Sequence, residues 1–264
     1  MLPIVSRINP GDITVRHPWT GDAVVVHSFR HRGYWFYGSE REHHVMLDFV
    51  RLTGRGDTVF DVGGHIGFTT MLFSVLAPDG RVHVFEPGPD NLRYLRRNVA
   101  TLGNVTVVAA AVGATPGRAD LQVEDLSGQN NSLVPDEAAL DRTSRSTNVR
   151  PHTSVVSVEV VALDAYAATG RVVPDFIKVD VEGFEWEVVQ GATGLIDEHH
   201  PALMIELTRQ REETVEWLQE RGYAVLDERL REIDRPTWAG QNVFFLHRER
   251  HRSAIERFCT LSEP

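Results

Sequence analysis

Two acidic strand ends and one glycine turn carry most of the chemistry legible in this chain. Val59-Phe60-Asp61-Val62-Gly63-Gly64-His65-Ile66-Gly67 is an apolar run that ends on an acid and passes through glycines into a helix-forming stretch. Gly63 tolerates positive φ, and Gly63 and Gly67 let the backbone approach a ligand without a Cβ. Nineteen residues after Gly67, Glu86 closes the next apolar run, Val82-His83-Val84-Phe85-Glu86. A carboxylate at the tip of a second parallel strand accepts hydrogen bonds from both hydroxyls of a ribose, so the two features together predict a nucleoside ligand. Asp61 discriminates among nucleosides. It would repel the pyrophosphate of a dinucleotide, which prefers a bare helix N-terminus, but suits the α-ammonium of S-adenosylmethionine. A methyl donor is therefore expected over NAD.

A second cluster follows in Phe176-Ile177-Lys178-Val179-Asp180-Val181-Glu182-Gly183-Phe184-Glu185. Strand alternation puts Lys178 and Asp180 on one face, with Asp180 emerging at the carboxyl edge, where ligands bind in open α/β sheets. Asp180, Glu182 and Glu185 are too acidic to be buried without partners, and helix capping is the competing role for Glu182 and Glu185. Asp180, helped by Glu182, is expected to take the proton of a hydroxyl or to orient it. Lys178 would serve as base only if burial depressed its pKa, and a structural ion pair with Asp180 is the favoured alternative. Asp180, Glu182 and Glu206 would suit Mg²⁺ if they converged, but spacing alone does not make them converge and no metal site is expected. The aromatic run Tyr34-Trp35-Phe36-Tyr37, with Glu42 nearby, either packs on the core or joins Gln129-Asn130-Asn131-Ser132 to form an acceptor pocket. His27 and His31 have metal-ligand spacing but fall on a predicted turn.

Composition removes several classes. Asp plus Glu is 37 against 27 for Lys plus Arg, a net charge of −10 over 264 residues, which disfavours an extended nucleic-acid surface. Of those 27 cations 26 are Arg, leaving Lys178 as the one lysine. A Walker loop, a Schiff-base site or a Tyr-x-x-x-Lys dehydrogenase pair would each have to use it, and none of those contexts surrounds it. A single cysteine, Cys259, rules out an intramolecular disulfide and a Cys-rich metal site. With no apolar leader after Met1 and no membrane-length apolar run, a soluble, cytoplasmic protein with no membrane partner is expected.

The elements that must position these residues alternate short apolar runs with amphipathic stretches, the mark of a parallel sheet covered by helices. Core strands are predicted at 58–62, 81–86, 105–110, 176–180 and 202–206. Helices are predicted at 67–76, 89–102, 185–196 and 212–221, and a closing pair of strands at 224–226 and 242–247. Residues 1–56 are expected to form a cap, with a hairpin of Ala23 to Phe29 against Tyr34 to Tyr37 and a helix from Glu40 to Leu52. Residues 57–247 would be the main domain and 248–264 a helical tail. The detour at 113–174 is expected to hold strands at 118–124 and 155–163, and a polar loop, 125–154, that is either a lid or disordered.

The motifs resemble the FkbM-type S-adenosylmethionine-dependent methyltransferases. The resemblance runs from about Gly56 to Leu207 and rests on Asp61-Val62-Gly63-Gly64-His65-Ile66-Gly67, Phe85-Glu86-Pro87 with Asn91, Ala111-Val112-Gly113 with Gly117, Leu163-Asp164, Ile177-Lys178-Val179-Asp180-Val181-Glu182-Gly183 with Glu185, and Pro201 with Ile205-Glu206. It implies a class I, Rossmann-like, mostly parallel seven-stranded sheet with a final antiparallel strand. It also implies O-methylation as the usual reaction. Carried over by position, Asp61, Gly63 and Gly67 would hold the methionine end, Glu86 the ribose and Ala111 the adenine edge, with Gly64, His65 and Asp180 completing the expected cofactor-binding set. The family typically has Gly-Ala-Asn-Ile-Gly in the turn, so Gly64 and His65 are departures. The expected function is O-methylation of a small-molecule hydroxyl, on a specialised metabolite or sugar. The rivals are an NAD(P)-dependent oxidoreductase on the same sheet and a nucleoside-binding module without turnover.

Overall fold

A computed structural model describes residues 11–40, 42–129, 131–134, 152–237 and 241–260, with the backbone alone at Ser39, Cys259 and Thr260. The start of the chain and the centre of the 125–154 loop lie outside the described residues.

The chain opens with a two-stranded ribbon, β1 (Asp12–Arg16) and β2 (Ala23–His27), paired antiparallel from Asp12 opposite His27 to Arg16 opposite Ala23. This corrects the expected hairpin, because Tyr34 lies in a short helix, α1 (Arg32–Phe36), and not in a strand. The connection that closes the ribbon is made upstream. Gly21 takes φ +81, the His17 N–H donates to the Asp22 carbonyl at 2.7 Å, and the His17 ring accepts the Trp19 and Thr20 N–H groups. A helical turn at α1 buries Tyr34 against Phe68 while leaving Phe36 and Tyr37 in solvent. The next helix, α2 (His43–Leu52), starts later than expected because Glu42 sits in the left-handed region at φ +50.

The main sheet then assembles from β3 (Thr58–Val62), α3 (Phe68–Leu76), β4 (Arg81–Phe85), α4 (Pro89–Asn98) and β5 (Val105–Val108). The chain leaves it for β6 (Ala111–Val112), β7 (Gly117–Glu124) and β8 (Thr153–Val161), a separate three-stranded sheet in the order β6-β8-β7 that contains both strands expected in the detour. It returns through α5 (Leu163–Gly170) to β9 (Phe176–Val179), α6 (Glu185–Gln190), α7 (Thr193–His199), β10 (Ala202–Leu207), α8 (Arg211–Glu220), β11 (Tyr223–Leu226) and β12 (Gln241–His247), and ends in α9 (Arg252–Thr260). The single helix expected over 185–196 is broken at Gly191, where a Cβ would come 2.1 Å from the Gly113 carbonyl oxygen.

The seven strands lie in the order β11-β12-β10-β9-β3-β4-β5, parallel except for β12, which is antiparallel to both neighbours. Both faces are covered, so the strands read as continuous apolar runs. Phe176, Met204 and Phe244 face one core with Phe49 and Phe73, while Ile177, Ile205 and Phe245 face the other. The tail helix α9 docks on the first core through Phe258.

Asn98, at the end of α4, fastens the N-terminal ribbon to this sheet. Its Oδ1 accepts the Val25 N–H at 2.8 Å, and its Nδ2 donates to the Val25 and Ile66 carbonyls at 3.1 and 2.8 Å. Asn98→Ala strips partners from three backbone groups and is expected to cost about 2–3 kcal/mol in urea unfolding. A loss under about 0.5 kcal/mol, the range of an ordinary surface change, would mean the ribbon is held some other way.

Candidate active site

The carboxyl ends of β3, β4, β9 and β10 surround a cavity of about 230 Å³ whose lining includes Gly63, His65, Glu86, Ala111, Asp180, Glu182 and Glu206. Strand register explains the convergence. Asp61, Lys178, Met204 and Phe244 stand in one row across four strands. One step up, Asp180 and Glu206 emerge on that same face, beside the glycine turn, because side chains repeat every two residues along a strand.

At the turn, strand tips almost touch. Gly63 has φ +83, and a Cβ there would lie 1.8 Å from the Asp180 carbonyl oxygen, while one on Gly64 would lie 2.0 Å from Val84 Cγ2. Gly67, at φ +88, opens α3, and a Cβ there would meet Leu95 Cδ1 at 2.8 Å. These glycines thus serve chain-to-chain packing first, and Gly67 faces α4, away from the cavity lining. His65 has φ +49. Asn and His both tolerate the left-handed region better than most side chains, which accounts for one replacing the other at this position.

Asp61 is also placed differently from the expectation of a direct ligand contact. Its carboxylate is fully buried, absent from the cavity lining, and engaged by the Thr69 and Thr70 hydroxyls at 3.0 and 2.7 Å. Its Oδ1 receives no aligned hydrogen bond but lies 3.1 Å from Lys178 Nζ, an ion pair, while the same ammonium donates to the Gly63 carbonyl at 3.0 Å and stands 3.5 Å from Asp180. Burial alone would lower the Lys178 pKa, but Asp61 and Asp180 outweigh it and hold the ammonium above the ordinary lysine value. Lys178 is therefore a permanent cation and no base.

Glu86 is buried yet faces the cavity. Its Oε2 accepts the His65 N–H at 2.9 Å, and its Oε1 accepts the Gly88 N–H at 2.7 Å and the Asn91 amide at 3.2 Å. Desolvation pushes its pKa up to about 7 despite those donors and Lys178. A carboxylate has about four acceptor positions, so Oε2 keeps room for another donor.

His65 ties three segments together. Its Nε2 contacts the Ser127 carbonyl at 3.2 Å and its Nδ1 the Tyr34 hydroxyl at 2.9 Å. A carbonyl only accepts, so the proton is assigned to Nε2, and Tyr34 donates to Nδ1. Ser127 and Gly128 are held in turn by Glu124, which accepts the N–H groups of Leu126, Ser127 and Gly128. The Asn91 amide donates to the Gly128 carbonyl, and the Ser132 hydroxyl to that of Glu182. Sequence reasoning missed Glu124. Its one local signal was the polar Glu-Asp-Leu-Ser-Gly turn following an alternating strand. Of the proposed acceptor cluster, Tyr34, Glu42, Gln129 and Asn131 line the cavity, whereas Asn130 lies outside the described residues.

Asp180, Glu182 and Glu206 bring carboxylate oxygens within 4.8 Å of one another, a spacing that would also hold a divalent cation. Glu182 sits at φ +54, and Glu185 turns away into the protein, accepting the Gly183 N–H at 2.6 Å and the Thr208 hydroxyl at 2.7 Å. Burial first, then Asp180, Glu182 and Glu42, raise the Glu206 pKa far above the carboxylate range. Glu206 thus keeps its proton beside Asp180. Among the described residues His27 and His31 belong to no cluster of three or more metal-ligating side chains, and both Nδ1 atoms accept backbone N–H groups.

Comparison with known proteins decides the family, because the profile of the methyltransferase FkbM domain matches residues 61–225. The chain belongs to the FkbM methyltransferase family. Methyltransferase 1 of Beauveria bassiana is 28% identical over 207 residues, covering 69% of this chain and 75% of that protein. The hexuronic acid methyltransferase AglP of Haloferax volcanii is 28% identical over 141 residues, 53% of this chain and 52% of its own length. A solved FkbM methyltransferase from Methylobacillus flagellatus aligns with a TM-score of 0.46 at 18% identity, over 76% of this chain and 52% of that one. The strand order with its reversed β12 is that of the class I methyltransferases. Among the described residues, no helix of this FkbM methyltransferase is long and apolar enough to cross a membrane.

Removing the buried cation should expose its role. Lys178→Met leaves Asp61 uncompensated and is expected to cost about 3–5 kcal/mol in urea unfolding, with Asp61→Asn in the same chain recovering most of it. Equal stability of Lys178→Met and the wild type would refute the ion-pair account.

Proposed function

We propose that this FkbM methyltransferase uses S-adenosylmethionine to O-methylate a hydroxyl of a small molecule. The observation that carries this reading is Glu86, a buried carboxylate with spare acceptor capacity facing the cavity beside the Gly63 turn. A nucleoside's ribose hydroxyls would donate to it, the methionine end would lie along Gly63, His65 and Asp180, and Ala111 would border the base. Asp61 acts at one remove, through Lys178. The relative named as a hexuronic acid methyltransferase supports sugars as one class of acceptor.

The bound donor would supply a methyl carbon on a sulfonium. The chain's part is to align an oxygen with that carbon and to take its proton. Alignment alone is worth effective molarities of about 10⁵ M or more. Asp180, about a third exposed at the cavity wall, is the proton acceptor, and Glu182 lines the same wall. If the carboxylates hold Mg²⁺ instead, EDTA should abolish turnover and Mg²⁺ restore it, and Asp180 would become a ligand.

Calorimetry with S-adenosylhomocysteine tests the nucleoside site. Glu86→Ala should weaken binding at least about tenfold, or 1.4 kcal/mol. Because donated hydroxyls favour the ionised carboxylate, the bound pKa falls below the free value of about 7, and affinity should tighten as pH rises from 6 to 8. A pH-independent affinity, or a preference for NADH, would contradict the assignment. For catalysis, Asp180→Asn should lower kcat about 10²–10⁴-fold when measured at saturating cofactor. Full activity in that variant removes Asp180 from the role.

A further inference from the structure

Two amide side chains stand beside Glu86 on the cavity lining, and only one of them has spent its hydrogens. Asn91 Nδ2 donates to Glu86 Oε1 at 3.2 Å and to the Gly128 carbonyl at 3.0 Å. Asn131 differs. A backbone N–H only donates, so the Asn131 atom that meets the Glu124 N–H at 3.0 Å is the carbonyl oxygen, and the NH₂ group faces the other way. Among the described residues that NH₂ group makes no hydrogen bond. It is also close to the carboxylate, since a Cβ on Gly88 would stand 2.8 Å from both Asn131 Nδ2 and Glu86 Oε1. Gly88 has φ −69, which any residue adopts, so what a side chain would take away there is the room between those two polar groups.

Asn131 is held in place from both directions. Its neighbour Ser132 exchanges backbone hydrogen bonds with Gln122 at 3.0 and 3.1 Å, and the Ser132 hydroxyl donates to the Glu182 carbonyl at 2.6 Å. Upstream, the Glu124 carboxylate gathers the N–H groups of Leu126, Ser127 and Gly128. A segment that follows the small sheet is thereby fastened to the working edge of the large one.

We propose that Asn131 reads the ribose of the bound nucleoside together with Glu86, the carboxylate accepting a hydroxyl proton and the Asn131 NH₂ group donating to a ribose hydroxyl oxygen. The inference rests on reading this cavity as the methyl-donor site. A hydroxyl that donates to a carboxylate keeps its lone pairs, and in a desolvated cavity those need a donor that an ionised Glu86 does not have. Asn131 supplies it. A ligand lacking the hydroxyl leaves the carboxylate and the amide both short of a partner, so the pair selects a ribose over a deoxyribose. The small sheet and its loop thus determine which sugar the site accepts.

The test is calorimetry on the full-length protein with S-adenosylhomocysteine, its 2′-deoxy and 3′-deoxy analogues, and its 3-deazaadenine analogue. No binding of S-adenosylhomocysteine to the wild type would overturn the donor-site reading and this inference with it, whereas the variants bear on Asn131 alone. The wild type is expected to bind S-adenosylhomocysteine at least tenfold tighter than one or both deoxy analogues. In Asn131→Ala that preference should shrink at least threefold, because the variant and the deoxy ligand remove the same interaction. A loosened loop would weaken all four ligands alike and leave the ratio where it was, which separates contact from support. Should the alanine variant not fold, Asn131→Asp keeps an acceptor for the Glu124 N–H, has no N–H to give, and should shrink the ratio in the same way. An unchanged ratio, a wild type that binds both deoxy analogues as tightly as the parent, or a change confined to the 3-deazaadenine analogue, which would assign the NH₂ group to the base, would each overturn the proposal.

Discussion

One buried lysine sets the geometry of the sheet's working edge. Lys178 is nearly inaccessible, on a strand buried on both faces, and reaches Asp61 on one neighbouring strand, Asp180 two residues ahead, and the carbonyl of Gly63 in the turn. A buried ion pair is a weak source of net stability, since both charges must be desolvated, but losing one partner is severe. What it provides here is placement. With Lys178 in position, β3 and β9 stay in one register, and that register brings the Gly63 Cα against the Asp180 carbonyl.

From that row outward, carboxylates in different surroundings acquire different chemistry. Glu86 is surrounded by backbone and amide donors and titrates near neutrality. Asp61 is held by hydroxyls and an ammonium and faces no cavity. Asp180, Glu182 and Glu206 crowd one another, so one keeps a proton. The site therefore has an acceptor for hydroxyl groups at one end and concentrated negative charge at the other.

Much of this was legible in the residues. Strand ends at Asp61, Glu86 and Asp180 follow from apolar runs that stop at acids, and the helices between them from spacing. What failed depended on contacts between distant segments. Tyr34 joins a helix because its hydroxyl and ring meet His65 and Phe68, which no local pattern in Tyr-Trp-Phe-Tyr declares. Strand alternation identified the face carrying Asp180, but only the cross-strand register puts Glu206 beside it. Asp61 looked like a ligand contact because its position in the motif is visible, whereas the Thr69 and Thr70 hydroxyls that cover it become its neighbours only when α3 folds back. Gly67 looked like a ligand-facing glycine for a similar reason, since its neighbour Leu95 lies on α4.

The most direct measurement is a crystal structure of the protein with S-adenosylhomocysteine. The account requires the ribose hydroxyls within hydrogen-bond distance of Glu86 and the sulfur turned toward the wall of Asp180 and Glu206. A nucleoside seated elsewhere, or with its ribose away from Glu86, would contradict it.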